Sequence, residues 1–272
     1  MRSIWTPENK IRAERRLWLT VMEAQADLGV SFGGDDPEQV LADYQAVLDD
    51  VDLDSIAERE AITRHDVKAR IEEFNALAGH EHIHKGMTSR DLTENIEQMQ
   101  VLESLRLVRD KMVATLNQLS RLAAQFSDQA IAGRSHNVAA QVTTLGKRFA
   151  TAIDEMLVAW DHVNELIERY PARGIKGPMG TAQDMLDLLG GDESKLDDLE
   201  HRVADHLGLT RYSLRPVRFT RGPWTLRSCQ LWCRCCQARL TWRRLSALWP
   251  VTNLSPRGSS PARWVPRRCR TR

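Results

Sequence analysis

Hydrophobic residues recur every three or four positions along most of the first 208 residues, which is the spacing of one buried face of an α-helix. Charged and polar residues fill the positions between them. No convincing run of two-residue alternation, which would indicate a half-buried strand, interrupts the pattern. The pattern predicts an all-α protein with a long helix after Ser89 and further helices over residues 7–28, 37–48, 54–62, 65–78, 142–169, 181–189 and 193–207.

The longest predicted helix carries a hydrophobic stripe over its whole length, and such a stripe must pack against a partner helix. The segment 142–169 carries a matching stripe. We therefore expect a small N-terminal helical domain over residues 1–90. Residues 91–208 are expected to form part of a central domain in which long helices make a bundle.

The composition changes abruptly near Gly208. Residues 1–208 contain all 37 acidic residues and 23 of the 38 basic ones, hence a net charge of −14, whereas residues 209–272 contain 15 Arg and no Asp, Glu or Lys. All the cysteines lie in this last segment, which is also rich in tryptophan, at positions 229, 233, 235, 236 and 269. We call residues 209–272 the tail, and we expect it not to belong to the fold of the preceding residues.

The sequence gives no sign of a membrane or secreted protein. No window has the roughly 18 uninterrupted apolar residues that a transmembrane helix needs, and the first ten residues lack the apolar run of a secretory signal. The first 208 residues also contain no cysteine, which suits a reducing compartment. We expect a cytoplasmic protein.

Several histidines lie where the hydrophobic stripes are interrupted. His80, His82 and His84 occupy alternate positions with Glu81 among them, and imidazole and carboxylate groups are ligands of zinc. A loop places alternate residues less reliably than a helix places residues four apart, and no further Cys or His stands at a familiar ligand spacing. The prediction is therefore that this group holds no metal ion.

Two other groups of polar residues precede long helices. Thr88 and Ser89 fit a helix N-cap, and the hydroxyls and free N–H groups at such a helix start also suit a carboxylate or a phosphate. His136 on its own is typical of a loop histidine bonded to backbone. Its neighbours Arg134, Ser135, Asn137 and Gln141 concentrate hydrogen-bonding groups there, which favours an acid or base directed into a cleft.

Three motifs, taken together, resemble the fumarase and aspartase superfamily. They are Arg64–Asp66, His84–Asp91 and Gly133–Arg148, and their order and spacing resemble those of the adenylosuccinate lyases in particular. The glycine-rich segment Gly174–Thr181 is similar to a stretch between the central helices of that family. The sequence departs from the pattern at Ser135–Gln141, where the superfamily often has Thr-His-x-Gln-Pro-Ala-Gln. Only three residues precede Ile4, where the family has an Arg-Tyr pair that touches the substrate phosphate.

The resemblance implies a carbon–nitrogen lyase of purine biosynthesis that needs no cofactor. Its small-molecule substrates would be adenylosuccinate, which gives AMP and fumarate, and the succinyl carboxamide ribotide. By resemblance, His136 is the general acid that protonates the departing nitrogen, and the active sites form between the subunits of a homotetramer. The other residues that the resemblance places at the substrate are Arg64, His65, Asp66, His84, Thr88, Ser89 and Gln183.

The resemblance also implies a general base, a serine in a loop that reads Ser-Ser-x-Met-Pro-x-Lys-x-Asn, and residues 1–272 contain no such string. Two interpretations of the tail follow. Arginines interleaved with tryptophans favour a nucleic-acid-binding arm on a non-catalytic helical scaffold. Alternatively, the tail is a frameshift product, because back-translating Trp264–Arg272 and reading one base earlier permits Gly-Ser-Ser-Ala-Met-Pro-His-Lys. We favour the frameshift, and we expect a truncated, inactive and aggregation-prone chain with an unfolded tail.

Overall fold

The computed structural model describes residues 1–209 and the backbone of residues 211–212, so the predictions made for the rest of the tail lie outside the described residues. The described helices follow the predicted ones within a few residues at most ends, which confirms the all-α prediction. None of them combines the length and the apolarity needed to cross a bilayer. They are α1 (Pro7–Asp27), α2 (Pro37–Ala46), α3 (Leu53–Thr63), α4 (Asp66–Ala78), α5 (Ser89–Gln125), α6 (Leu145–Glu168), α7 (Gln183–Leu188) and α8 (Glu193–His206), with a 3-10 turn at Ser3–Trp5.

The helices begin at the capping residues that the sequence supplies. Asp36 accepts the backbone N–H of Glu38 at 3.2 Å, and Pro37 follows at the first helical position, where its missing N–H leaves no lost bond. Thr6 caps α1 in the same way, ahead of Pro7. These caps fix where the amphipathic helices begin.

The main hydrophobic core lies where α1, α5 and α8 meet, and the segment after α6 closes it. The side chains at its centre are almost completely buried, and burial of each large one contributes roughly 1.5–3 kcal/mol. They include Leu17, Trp18, Met22, Leu92, Ile96, Leu102, Ile175, Leu199 and Val203.

The long helix α5 has the partner that its stripe predicted, because α6 runs antiparallel beside it. The start of α6 is fixed to the residues just after α5, where Leu145 N–H donates to Gln129 O at 2.9 Å and Gly146 N–H donates to Phe126 O at 2.8 Å. The residues after α6 return to the start of α5, where the Asn95 side-chain oxygen accepts the backbone N–H of Arg173 at 2.9 Å.

The prediction from the sequence pattern was wrong at the connection between these two helices. Residues 138–144 form strand β2 (Val138–Thr144), which pairs antiparallel with β1 (Ala130–Ser135), so α6 begins at Leu145 rather than at 142. Most residues of this hairpin are exposed. A strand with no buried face shows no hydrophobic alternation, and for that reason the pattern did not reveal it. A second, short sheet pairs β3 (Pro171–Ala172) in parallel with β4 (Arg211–Tyr212).

Gly146 sets how closely α6 approaches the end of α5. A Cβ at this position would lie 2.4 Å from the carbonyl oxygen of Ala123 and 2.8 Å from that of Phe126, and both are backbone atoms that cannot move alone. A glycine early in α6 therefore has a steric function, although alanine is the better helix former.

We predict that Gly146→Ala lowers the free energy of unfolding by about 1–3 kcal/mol, the usual cost of overpacking, even though helix propensity alone would raise it by about 1 kcal/mol. Urea denaturation followed by circular dichroism measures the difference. Lys147→Ala, at the exposed neighbouring position, is the control and should change little. A neutral or stabilising Gly146→Ala would contradict the close approach.

Candidate active site

Two of the three motifs meet where α4 and α5 begin. His65 is the N-cap of α4, and its Nδ1 accepts the backbone N–H of Lys68 at 3.2 Å. The neutral ring therefore carries its proton on Nε2, which lies 3.3 Å from Ser89 Oγ at the first position of α5. Arg64 precedes His65 in the left-handed conformation (φ 53°) and is exposed. The result is a polar corner open to solvent, beside the free N–H groups of a helix start.

The carboxylate of Asp66 is engaged in an ion pair outside this corner. Its carboxylate forms an ion pair with Arg70 one turn along α4, and Arg70 also pairs with the buried Glu14 of α1. Burial, as the largest effect, raises the pKa of Glu14 despite the nearby guanidinium. Asp66 thus joins the corner to an ion-pair network between α1 and α4.

The N-cap predicted at Thr88 is present. The carboxylate of Asp91, three residues later, accepts the backbone N–H of Thr88 at 2.9 Å, which is the acidic half of a capping box. Both Thr88 and Ser89 are partly exposed, so the start of α5 is capped and still accessible.

Asp91 also holds the segment that follows α6. Its buried carboxylate forms an ion pair with Arg173 and accepts the backbone N–H groups of Lys176 at 3.0 Å and Gly177 at 3.0 Å. Arg173 in turn lies 3.0 Å from the carboxylate of Glu94. Burial lowers the pKa of Arg173 from its usual value, but the adjacent carboxylates give the guanidinium its counter-charge.

Asn95, one turn further along α5, completes this attachment. Its side-chain oxygen accepts the backbone N–H groups of Arg173 at 2.9 Å and Gly174 at 3.1 Å, and its amide donates to the Gly174 carbonyl at 3.0 Å. The glycine-rich segment is thereby fixed against the first two turns of α5. Sequence reasoning did not assign functions to Asp91, Asn95 or Arg173. The spacing from Thr88 to Asp91, which is that of a capping box, was the available signal for Asp91.

His84 is held by a contact that the sequence did not suggest. Its backbone is left-handed (φ 67°), and its Nδ1 accepts the indole N–H of Trp18 at 3.0 Å, so the neutral ring carries its proton on Nε2. Burial, and to a lesser extent the charge of His65, lower the pKa of His84 from 6.5 to about 4. A neutral N–H donor is therefore available here near pH 7.

We predict that acidification destabilises the fold through His84. The His84 ring binds its proton less tightly in the folded than in the unfolded chain. The stability that neutral His84 contributes is therefore fully present above about pH 6.5 and is lost as the pH falls towards 4. The full effect is on the order of 3 kcal/mol. A histidine NMR titration measures the pKa directly. Trp18→Phe removes the indole donor and should raise the pKa of His84, whereas an ordinary titration near 6.5 in the unmodified chain would be the opposing result.

His136 lies elsewhere. It and Asn137 form the turn between β1 and β2, both with positive φ (49° and 65°), and His136 is exposed. Arg134 donates to the Asn137 carbonyl at 3.1 Å and closes the turn. Within residues 1–209, no hydrogen bond or ion pair joins His136 to another predicted site residue. It is a loop residue ahead of α6, as predicted, but the loop is the turn at the tip of an exposed hairpin that the sequence analysis did not predict.

The structure does not bring Gln183 to the polar corner, and it separates His84 from the other histidines that were considered as zinc ligands. The exposed Gln183 begins α7 and donates to Asp187 at 2.6 Å in its own helix, and it does not contact the corner at His65. The group considered for zinc separates, because His84 bonds Trp18 and Glu81 is exposed. His80 and His82 instead converge with acidic side chains that the sequence analysis did not include.

Comparison with known proteins assigns the chain to a class. Residues 3–185, well over half of the chain, match the family model described as "Lyase", and the chain belongs to this lyase family. The structure is also similar to the crystal structure of a fumarate lyase from Mesorhizobium sp. BNC1, with a TM-score of 0.77 over 92% of this chain and 57% of that one. At 19% sequence identity, this likeness concerns the fold.

Within the family, the chain is similar to curated adenylosuccinate lyases. It is 32% identical to that of Saccharomyces cerevisiae over 217 residues, which are 78% of this chain and 44% of the yeast protein. It is also 32% identical to that of Schizosaccharomyces pombe over 209 residues, covering 75% of this chain and 42% of the other. The chain thus spans less than half the length of these relatives.

Proposed function

We propose that the intact protein to which these residues belong is an adenylosuccinate lyase. It would eliminate fumarate from adenylosuccinate to give AMP, and from the succinyl carboxamide ribotide. The observation that carries this proposal is the corner where His65 Nε2 meets Ser89 Oγ, built from two of the motifs that resemble this family. The names of the curated relatives support the same reaction.

The corner has the groups that a dicarboxylate substrate requires. Ser89, Thr88 and the free N–H groups at the start of α5 would hold a carboxylate of the succinyl group, where negative charge develops as the Cβ proton leaves. Arg64 adds a positive charge at the edge of the corner. His65 would orient Ser89 through the 3.3 Å contact, and neutral His84 would support them as an N–H donor.

His136 is the proposed general acid that protonates the departing nitrogen. Its positive φ is shared with Asn137 and is the conformation that a two-residue hairpin turn requires. Histidine at an exposed hairpin tip is also free to enter a cleft in another subunit. Gln183 remains a proposed substrate contact, one that must rotate away from Asp187.

The length of α5 supports assembly of the site from more than one subunit. Its 37 residues span about 55 Å at 1.5 Å per residue. Ser89 lies at one end, and the hairpin, whose strands reach about 20 Å, follows the other end. His136 and Ser89 of one chain are thus separated by at least about 35 Å, far beyond any shared substrate.

Exposed apolar residues support the same assembly, which we propose to be a cytoplasmic homotetramer with a core of long helices. They occur on the outer faces of α5 and α6 and on the hairpin, at Val113, Val138, Val142, Leu157 and Val158. Isolated exposed apolar residues are ordinary, but this set follows the elements that would meet in a bundle. The division into an N-terminal domain (1–90) and a central domain (91–208) belongs to this proposal.

The proposed base is the serine of the Ser-Ser-x-Met-Pro loop, and residues 1–272 do not contain that loop. We therefore propose that a chain limited to these residues is inactive, and that the tail results from a frameshift. Its structure, and its alternative role in nucleic-acid binding, lie outside the described residues. The test is to restore the reading frame and assay release of fumarate from adenylosuccinate. Turnover of argininosuccinate instead, or of neither substrate, would oppose the proposal.

We predict that stability and activity separate at the hairpin tip. In the frame-restored protein, His136→Gly should raise the free energy of unfolding by up to about 1 kcal/mol, because glycine adopts positive φ without strain. It should also lower kcat by about 100-fold or more through loss of the acid.

The matched control is Asn137→Gly, at the neighbouring left-handed position. It should give a similar gain in stability with little change in kcat. Urea denaturation and steady-state kinetics on both variants make the comparison. Equal kcat values for the two variants would exclude His136 as the general acid.

A further inference from the structure

Two histidines and two aspartates converge on one side of the N-terminal helices, outside the polar corner. His82 Nε2 lies 2.8 Å from Asp35 Oδ2, and His80 Nε2 lies 2.8 Å from Asp43 Oδ2. One ligand atom from each of Asp35, His80 and His82 lies within 4.8 Å of the other two. Asp35 comes from the loop before α2 and the histidines from the loop before α5, so the cluster joins segments far apart in the sequence.

The histidine segment is held firmly before any ligand binds. The fully buried Tyr44 places its hydroxyl 2.8 Å from the His80 carbonyl oxygen and 3.2 Å from the His82 backbone nitrogen. Phe32 packs against the His82 ring, with the centroids 5.1 Å apart. The side chains of His82 and His80 are only 10% and 21% exposed, whereas that of Asp35 is 56% exposed and can adjust its position.

We propose that Asp35, His80 and His82 bind a divalent transition-metal ion of the zinc class. Two imidazoles and one carboxylate form a donor set suited to this class. A tetrahedral ion with bonds near 2.0–2.1 Å holds its ligand atoms about 3.3 Å apart, so the Asp35–His82 pair at 2.8 Å must open slightly, which the exposed Asp35 can do by moving. Asp43 orients His80 through the 2.8 Å contact, as carboxylates commonly do for metal-ligating histidines.

Lys85 is the group that competes with the ion. Its Nζ lies 2.7 Å from His82 Nδ1, and by donating there it leaves the His82 proton on Nε2, where it bonds Asp35. Metal binding displaces that proton and requires Lys85 to turn away from the ring. The metal ion thus takes the place of the Lys85 ammonium as the positive charge near the carboxylates of Asp35 and Asp43.

The ion has a structural role in this proposal. It fastens the loop before α2 to residues 80–82 in the loop between α4 and α5. This second loop continues through His84 to Thr88 at the start of α5. Because Asp35, His80 and His82 lie outside the polar corner, this inference does not depend on the proposed activity.

The experiment uses the untagged full chain of 272 residues with its five cysteines replaced by serine, because tail thiolates would bind zinc themselves. Zinc is titrated by calorimetry, and cobalt by its visible spectrum. We expect one equivalent of either ion and a rise of the thermal unfolding midpoint with metal concentration. Asp35→Asn and His80→Gln should each weaken binding at least about tenfold.

Two further variants make the result decisive. Glu81→Gln changes an exposed carboxylate between the two histidines and should bind as the parent does. Lys85→Met removes the competing ammonium and should bind more tightly. No binding by both the parent and Lys85→Met would overturn the proposal. Equal affinity in Asp35→Asn would also overturn it, and weakened binding in this variant is not attributable to misfolding, because Asp35 is exposed.

Discussion

The arrangement of the described residues depends on the buried carboxylate of Asp91. A charge removed from water requires compensation, and Asp91 obtains it from the Arg173 guanidinium and from backbone N–H groups on both sides of the core. These bonds cap α5 and fix the segment after α6 at the same time. Removing one partner of such a buried pair typically costs about 3–5 kcal/mol. The geometry of the polar corner at Ser89 therefore follows from an interaction one turn away from it.

The opposite end of α5 is fixed in a different way. There, close backbone contact at Gly146 brings α6 beside α5, and the hairpin that carries His136 lies between the two helices in the chain. Attachment at both ends makes the helix pair a spacer of nearly fixed length. The polar corner and His136 are consequently attached near opposite ends of α5, and in the proposed assembly another copy brings them together. The exposed apolar residues along the pair suit the association that this requires.

Much of the fold could be predicted from the sequence, because its helices are amphipathic and their starts carry strong capping residues. The hairpin could not, since its exposed strands lack a buried face and Ala139 and Ala140 favour no strand. The candidate residues at the corner were found through their likeness to a family. The bonds that position them were not found, because Asp91 reaches Arg173, and Trp18 reaches His84, across long stretches of sequence. The partners of His80 and His82 were missed for the same reason.

The most direct test of the central claim, that the catalytic groups on the two ends of α5 come from different chains, is complementation. Frame-restored Ser89→Ala and His136→Gln proteins, each expected to lose about 100-fold or more in activity, are unfolded together and refolded as a mixture. The account predicts recovery in the mixture of up to about one quarter of the activity of the unmodified protein, from sites that take both intact residues. Activity in the mixture no greater than in either parent refolded alone would contradict it.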